Sequence, residues 1–243
     1  MKFLIIGGDL RNRKLIEILR KDGHELEDYI EINNYKLRES IKEKKFDAVI
    51  GPIPFTKDEE TLNVSFSKEK CHIDQLIPFL EGQTLIAGPI SGNLINKMQK
   101  YNIKAIDIME HEELVIYNTI ATAEGTIEIA IANTEKNLHE SKILILGFGR
   151  VAKTLAVKLK CLSRSVTCAA RKISDFTWIN TLGLNIQNIN NLDNNLKEYD
   201  IIINTVPQII LTDEKIKKIN ENTLIIDLAS NPGGVDQESI KKT

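Results

Sequence analysis

The chain has 243 residues, with 32 basic and 34 acidic side chains, a formal net charge of -2 and 42% hydrophobic residues. This length and composition predict one or two folded domains and exclude a disordered or collagen-like chain. The near-neutral charge supplies no basic surface for a phosphate backbone, which argues against nucleic acid as the main partner and favours a small ligand.

The sequence gives little indication of membrane-spanning segments, disulfide bonds or metal sites. The unbroken apolar runs, such as 3–6 and 143–146, are far shorter than the roughly 18 to 20 residues that cross a bilayer, so no transmembrane span is expected. The N-terminus lacks the apolar core and cleavage site of a secretory signal, which predicts a cytoplasmic protein. Cys71, Cys161 and Cys168 are expected to be buried thiols, and no metal site is expected because the histidines and cysteines lack ligand spacing.

The first half alternates short β-branched runs with amphipathic segments, a pattern typical of βαβ units around a parallel sheet. Secure strands are predicted at 2–6, 47–50 and 85–87, and a helix at 11–21. Glycine-proline pairs at 51–52 and 88–89 end two of the strands. Because loops at the carboxyl ends of strands bind ligands in open α/β sheets, these two loops are candidate site loops.

The second half repeats the alternation after a long segment with helical periodicity at 110–137, interrupted near 119–125. The expected fold class is therefore α/β, with two Rossmann-like doubly wound parallel-sheet domains. Residues 1–140 form the predicted substrate and catalytic domain, and residues 141–243 the predicted NADP-binding domain. Since a nucleotide fold of this class usually has about six strands, the second domain is expected to be incomplete at its C-terminus. Its strands are predicted near 142–146, 165–169, 184–188, 200–204 and 223–227.

A glycine turn joins the first strand and helix of the second half. The segment Gly147-Phe148-Gly149-Arg150-Val151-Ala152 has the spacing GxGxxA. Gly147 permits a tight turn, Gly149 lets the backbone approach a pyrophosphate, and the small Ala152 lets helix and strand pack closely. A dinucleotide site that includes Arg150 and Val151 is therefore favoured over a glycine turn that serves packing alone.

A basic pair, Arg171 and Lys172, ends the next strand. An NAD-specific site would usually place an acid there, on the ribose 2′-hydroxyl. A guanidinium can instead hold a 2′-phosphate with two hydrogen bonds, so Arg171, helped by Lys172, favours NADP. A solvated arginine at the end of a strand is the alternative.

Two more loops follow strands at the same predicted edge of this sheet. Asn204, Thr205, Val206 and Pro207 follow one strand, and the other ends in the block that contains Asp227, Ala229 and Ser230. The backbone groups of both loops are expected to flank the adenosine and nicotinamide ends of a cofactor. Pro and Gly-Gly also form ordinary turns, which is the alternative for the second loop.

The loop after the first strand of the chain also contains glycines. Its sequence, Gly7-Gly8-Asp9-Leu10-Arg11, lacks the GxGxxG spacing, so no second dinucleotide site is predicted. Asp9 and Arg11 are candidate contacts for a small polar or acidic ligand, with helix capping by Asp9 as an equal alternative. Ser91 and Asn93 are candidate donors to a substrate carboxylate, and Arg150 is a candidate contact for either substrate or pyrophosphate.

Six sequence blocks occur in order along the chain: GGDLR at 7–11, GPISGN at 88–93, IYNTIATAEGT at 116–126, LGFGR at 146–150, INTVP at 203–207 and IDLASNPGG at 226–234. Together they resemble the dipicolinate synthase A-subunit family, the dehydrogenase-like subunits of spore-forming bacteria, over essentially the whole chain. This resemblance implies NADP-dependent formation of dipicolinate from a dihydrodipicolinate derived from the lysine-pathway precursor. It also implies the flavoprotein-like second subunit of dipicolinate synthase, its B-subunit, as a partner, beside an expected homo-oligomer. The family continues past the last block with another strand, a loop and a helix.

The implied oxidation needs a hydride acceptor, removal of a ring proton and neutralisation of two carboxylates. Glu124 is the one carboxylate in the block at 116–126, and Gly125 beside it leaves room for a substrate. Glu124 is therefore the predicted acid/base or orienting group, with a helix-surface carboxylate as the alternative. Asn118 and Thr122 are candidate hydrogen-bond donors from the same segment.

Two other functions remain open at this point. A dehydrogenase for another small carboxylate, such as a 2-hydroxy or amino acid, would carry the same cofactor domain. A non-catalytic NADP-binding module would bind the cofactor without turning over any substrate.

Overall fold

Two parallel five-stranded sheets, one in each half of the chain, organise the structure. The computed structural model describes residues 1–192, 195–230 and 233–236, and the chain divides into two units, Met1–Val115 and Ile116–Thr243. This confirms the predicted α/β class with two doubly wound parallel sheets. The second unit begins inside the long connecting helix, upstream of the boundary predicted at 140–141, because one face of that helix packs into the core of the second unit.

The first unit has the strand order β2-β1-β3-β4-β5, with every pair parallel. β1 and β3 form the centre of the sheet, and Leu4, Ile6 and Val49 are fully buried there. The strands are β1 Lys2–Ile6, β2 Glu25–Tyr29, β3 Ala48–Ile50, β4 Thr84–Ala87 and β5 Lys104–Asp107; the helices are α1 Leu10–Lys21, α2 Asn34–Glu43, α3 Ile73–Leu76 and α4 Gly92–Gln99.

The second unit has the strand order β10-β9-β6-β7-β8, again parallel throughout. All five strands predicted from the sequence are present. The chain runs from β6 outward to β8, returns to β9 on the other side of β6, and so reverses between β6 and β9. The strands are β6 Lys142–Leu146, β7 Ser165–Ala170, β8 Asn185–Asn188, β9 Ile201–Asn204 and β10 Leu224–Asp227; the helices are α5 Glu112–Ala132, which begins before the unit boundary, α6 Arg150–Lys160, α7 Ile173–Thr181 and α8 Asp213–Ile216.

Helix α5 corrects one expectation and adds one observation. The interruption expected near 119–125 is absent, since the threonine hydroxyls of Thr119 and Thr126 donate to helix carbonyls three and four residues earlier instead of breaking the helix. By length and composition alone α5 is also apolar enough to cross a bilayer, with a mean hydropathy of 1.2 over its most apolar stretch, of which 22% is buried. The unbroken apolar runs considered in the sequence analysis do not include this helix, because polar residues interrupt it. In the structure Ala123 and Ala130 pack α5 against the core of the second unit.

Candidate functional site

The glycine turn after β6 is shaped by a close contact with the loop after β9. Gly147 has φ of 97°, and a Cβ at this position would lie 2.5 Å from Oγ1 of Thr205. Only glycine accepts both the backbone angle and the contact. Gly149 precedes α6, where no side chain caps the helix, and Ala152 is fully buried in the core. The amino end of α6 therefore presents backbone N–H groups to an anion.

A cavity of about 440 Å³ lies at the carboxyl ends of β6, β7 and β9. It occupies the point between β6 and β9 where the strand order reverses, which is where doubly wound sheets bind dinucleotides. Its walls bring together segments that the sequence analysis selected separately. They are the glycine turn with Gly147 and Gly149, Arg171 and Lys172 after β7, and Thr205, Val206 and Pro207 after β9.

The basic pair after β7 lies where the sequence placed it. Arg171 follows directly after the last residue of β7, and both Arg171 and Lys172 are exposed on the wall of the cavity. Asp175, in the first turn of α7, lines the same wall. The three side chains carry two positive charges and one negative charge, so this end of the cavity has an excess of positive charge. Arg150 is the first residue of α6 and is exposed.

The loop after β9 is held by hydrogen bonds within the protein. Thr205 donates from its backbone N–H and from Oγ1 to the carbonyl of Leu146, at 3.0 and 2.8 Å. Asn204 is fully buried, and its side chain both donates to the carbonyl and accepts from the N–H of Val206. These contacts lock the loop after β9 against the glycine turn.

Asp227, at the end of β10, completes this network. Its carboxylate accepts from the side-chain amide of Asn204 at 2.8 Å, from the N–H of Ala229 at 3.1 Å and from the N–H of Gly234 at 2.8 Å. The cofactor-binding role predicted for Asn204 and Asp227 through their loops stays a prediction, and in the structure the side chains of both residues hold those loops in place. Ser230 continues the same segment, whereas Asn231 and Pro232 lie outside the described residues.

The predicted catalytic segment lies on α5. The carboxylate of Glu124 forms an ion pair with Nζ of Lys158 on α6 at 2.9 Å, with 62% of the Glu124 side chain exposed. Thr122 donates to the carbonyl of Asn118, one turn earlier. The catalytic roles of these residues stay predictions. A contact that sequence reasoning missed is the 2.7 Å hydrogen bond between the hydroxyls of Thr119 and Thr154, which joins α5 to α6.

In the first unit, Asp9 and Arg11 bind each other. Asp9 caps α1 by accepting from the N–H of Arg11 at 2.9 Å, and the guanidinium of Arg11 donates from Nη2 to the same carboxylate at 2.8 Å. The side-chain hydrogen bond is the main cause that lowers the pKa of Asp9 and raises the pKa of Arg11. Nη2 also donates to the carbonyl of Ile53. The capping role weighed for Asp9 is therefore present.

The glycine turn after β1 is covered by another segment of the same unit. Gly8 donates its N–H to the carbonyl of Asn63 at 2.8 Å, and a Cβ at Gly7 would lie 2.9 Å from the same carbonyl oxygen. The segment around Asn63 therefore fills the space over this turn.

The loop after β4 depends on an acid that the sequence analysis did not select. Asp107, at the end of β5, accepts from the N–H groups of Ile90 and Met109 at 2.7 and 2.8 Å. Ser91 accepts from the N–H of Leu94 and caps α4, on which Asn93 is exposed. An acid directly after an apolar strand is the signal that could have pointed to Asp107.

The cysteines correct one further expectation. Cys71 and Cys168 are buried, which raises the pKa of their thiols to about 11 and about 12, whereas Cys161 is exposed. Cys161 follows the last residue of α6, where the helix leaves the core. Within residues 1–192, 195–230 and 233–236, no group of three or more His, Cys, Asp or Glu side chains is placed to hold a metal ion.

Comparisons with known proteins agree with this architecture. The family model for the N-terminal domain of the dipicolinate synthase A-subunit matches residues 2–109, and that for shikimate / quinate 5-dehydrogenase matches residues 128–242. The chain is 30% identical over 258 residues to the dipicolinate synthase A-subunit of Bacillus subtilis (strain 168), covering 100% of this chain and 85% of that protein.

Two further relatives refine the comparison. Shikimate dehydrogenase (NADP(+)) of Staphylococcus epidermidis is 34% identical over 143 residues, which is 52% of each chain. The crystal structure of the dipicolinate synthase A-subunit from Bacillus halodurans superposes with a TM-score of 0.83 at 28% identity, over 99% of this chain and 86% of that one. The second unit is thus a dehydrogenase-like domain of the nicotinamide-binding type.

Proposed function

The chain belongs to the dipicolinate synthase A-subunit family, and we propose that it is an NADP-dependent oxidoreductase subunit that forms dipicolinate from a dihydrodipicolinate derived from the lysine-pathway precursor. Its family and its shikimate dehydrogenase-like domain make it dehydrogenase-like. The proposed NADP-dependent activity rests on one observation, which is that the glycine turn, Arg171 and Lys172 line the same cavity.

The choice of NADP rests on charge at the end of β7. In sheets of this order the adenosine ribose lies beside the residue that follows the second strand, which here is Arg171. A guanidinium can hold a 2′-phosphate with two charge-assisted hydrogen bonds, and Lys172 adds a second positive charge. Asp175 offsets only one of these charges. The relative from Staphylococcus epidermidis carries NADP(+) in its name, in agreement with this choice.

The cofactor supplies the hydride acceptor when it is bound. The chain's own residues then position it: the turn from Gly147 to Gly149 leaves space for the pyrophosphate, and the amino end of α6 offers N–H donors. Arg150, at the start of α6, adds a positive charge near this turn. The loop at 205–207 limits the cavity on the other side.

Glu124 is the proposed acceptor of the ring proton. Removing a proton from a dihydropyridine ring needs a base within hydrogen-bond reach of that proton. Because Glu124 contacts Lys158 in the structure, this role requires the carboxylate to exchange that contact for the substrate. Asn118 and Thr122 are the proposed donors from the same helix. Arg11, with Asp9, and the loop of Ser91 and Asn93 are the proposed substrate contacts of the first unit.

We extend the proposal to the assembly and its place in the cell. Family membership supports the flavoprotein-like B-subunit of dipicolinate synthase as a partner, a homo-oligomer of this chain, and a cytoplasmic role in spore formation. In this proposal the small dicarboxylate substrate binds to the chain within that assembly.

One experiment tests this function. The full chain, with and without the flavoprotein-like partner, is mixed with NADP+ or NAD+ and freshly prepared precursor, while the absorbance of reduced nicotinamide and of pyridine dicarboxylate is followed. Both signals are expected to rise together, and faster with NADP+. In a parallel assay a 2-hydroxy or amino acid replaces the precursor. Turnover of that acid, with none of the precursor, would assign a different dehydrogenase activity. Cofactor binding without turnover in the complete mixture would identify a non-catalytic module.

A further inference from the structure

A second cavity, of about 100 Å³, lies in the first unit at the carboxyl end of its sheet. The strand order β2-β1-β3-β4-β5 reverses between β1 and β3. The cavity wall is formed by residues of α1, which follows β1, and by Ile50, Gly51 and Ile53 at and after the end of β3. It therefore occupies the switch point of this sheet, where ligands bind in open α/β folds.

Most of this wall is apolar. Leu15 of α1, Ile86 of β4 and Ile108 after β5 complete the apolar lining. A Cβ at Gly51 would lie 3.0 Å from Cβ of Ala87, so the backbone passes close to the neighbouring strand at this point. Apolar walls of this kind suit the edge of a planar ring.

Asn12 places a polar group in this apolar wall. The residue is only 7% exposed, and its Oδ1 accepts from the N–H of Asp9 at 3.3 Å. Within the described part of the chain no hydrogen bond uses Nδ2 of Asn12. Every fully buried side-chain nitrogen or oxygen among the described residues has a hydrogen-bond partner, so Nδ2 of Asn12 keeps some contact with solvent, where a ligand acceptor can take the place of water.

Arg11 provides a second donor at the same cavity. Nε and Nη2 are engaged by Asp9 and by the carbonyl of Ile53, which fixes the plane of the guanidinium. Nη1 takes part in none of these contacts. The charge of Lys57 also acts on Asp9 and lowers its pKa. Arg11 is the charged residue among those that line the cavity, and its guanidinium favours an anion.

We propose that this cavity is a subsite for one carboxylate and the adjoining ring edge of a planar heterocyclic carboxylic acid, with Nδ2 of Asn12 and Nη1 of Arg11 as donors. The inference rests on the proposed function for the class of substrate. It adds Asn12, which that function does not use, as a residue that determines specificity. The small volume accommodates one end of a dicarboxylate and leaves the other end outside the cavity.

The test is calorimetric titration of the full chain with pyridine-2,6-dicarboxylate and with pyridine. The dicarboxylate is expected to bind saturably and pyridine at least tenfold more weakly. Asn12→Asp keeps Oδ1 for the N–H of Asp9 and replaces the donor with a negative oxygen, so it should weaken dicarboxylate binding at least tenfold. Asn96→Asp makes the same exchange on the exposed face of α4 and should leave binding unchanged. NADP+ binding should be unchanged in both variants.

A measurement on the unchanged protein covers the case in which Asn12→Asp does not fold. In ¹⁵N-labelled chain the side-chain amide resonances of Asn12 should shift with the dicarboxylate and saturate with the calorimetric curve. Three results would overturn the subsite. They are wild-type affinity for the dicarboxylate in folded Asn12→Asp, equal binding of pyridine and the dicarboxylate, and Asn12 resonances that do not shift. Dicarboxylate binding at Asn12 without turnover would instead refute the proposed function and keep the subsite.

Discussion

The side-chain amide of Asn204 donates to the carboxylate of Asp227 across 2.8 Å and joins the carboxyl ends of β9 and β10. The two side chains also form hydrogen bonds with backbone atoms of the loops that follow these strands. A Cβ at Gly234 would lie 1.8 Å from Nδ2 of Asn204, so the second loop must pass directly over the amide. The shape of one wall of the cofactor cavity therefore depends on a pair that need not touch the cofactor.

Asn204→Ala should remove this pair and leave the groups around it unsatisfied. Loss of a buried hydrogen-bonding partner typically costs about 1–3 kcal/mol, so the free energy of unfolding in urea should fall by about that amount. The affinity for NADP+ should fall several-fold, because the loop after β9 loses its support. Asn180→Ala, on the exposed face of α7, is the control and should change neither quantity. Wild-type stability in Asn204→Ala would show that the pair is dispensable.

The two glycines of the turn should respond differently to alanine. Gly147→Ala meets Oγ1 of Thr205 at 2.5 Å and requires a strained φ of 97°, so the unliganded protein should be destabilised. Gly149→Ala meets nothing within 4 Å and should destabilise the protein much less, by no more than the roughly 1 kcal/mol by which alanine is inferior to glycine at the N-cap of a helix. Its methyl group should nevertheless weaken NADP+ binding at least tenfold by blocking the approach of the pyrophosphate. Thermal unfolding and calorimetry separate the two effects, and tight cofactor binding by Gly149→Ala would contradict this placement of the pyrophosphate.

Arg171→Asp should shift coenzyme preference from NADP+ towards NAD+. A charge-assisted hydrogen bond contributes about 1.5–3 kcal/mol, so the affinity for NADP+ should fall roughly 10- to 100-fold, whereas NAD+ should be affected much less. Arg164→Asp makes the same charge change at the opposite end of β7 and is the control. The ratio of the two dissociation constants is the readout. An equal loss of both coenzymes in Arg171→Asp would argue against a contact with the 2′-phosphate.

The role of Glu124 can be separated from its ion pair with Lys158. The pair is largely exposed, so Glu124→Gln should change stability by less than about 1 kcal/mol. If the carboxylate accepts the ring proton, kcat should fall by about 10²- to 10⁴-fold. Lys158→Gln breaks the same pair without removing the carboxylate and should keep most of the activity. Equal losses in the two variants would reduce Glu124 to a structural partner of Lys158.

The contact between Asp9 and Arg11 should stabilise the protein at neutral pH and lose this effect in acid. The hydrogen bond from Arg11 lowers the pKa of Asp9 in the folded chain below its ordinary value of 3.8. Its contribution is therefore complete above that value and disappears as the pH falls through the lower folded pKa. Asp9→Asn should flatten the acid limb of the stability curve, measured by urea unfolding. Asp22→Asn, at the other end of α1, should keep the limb steeper than Asp9→Asn does.

Much of the second sheet could be predicted because β6, β9 and β10 are continuous apolar runs that end in loops of recognisable composition. β2 was not predicted, since its sequence ELEDY is an edge strand with half-exposed polar residues and no apolar run. The residues that gather around the cofactor cavity could also be predicted, because parallel strands bring their carboxyl ends to one edge.

What the sequence could not show is which side chains are already engaged within the protein. Asn204 and Asp227 look like ligand-binding groups in a loop motif, and only the register of β9 against β10 brings them together. The same holds for one backbone partner of Asp107, the N–H of Ile90, which lies in the loop after a neighbouring strand. Contacts of this kind depend on tertiary packing and leave no local pattern.

The most direct test of the cofactor assignment is a calorimetric titration of the folded full chain with NADP+ and, separately, with NAD+. We expect a saturable, one-site interaction that is tighter for NADP+. Absence of heat and of saturation with both coenzymes, in protein whose folding is verified, would contradict it.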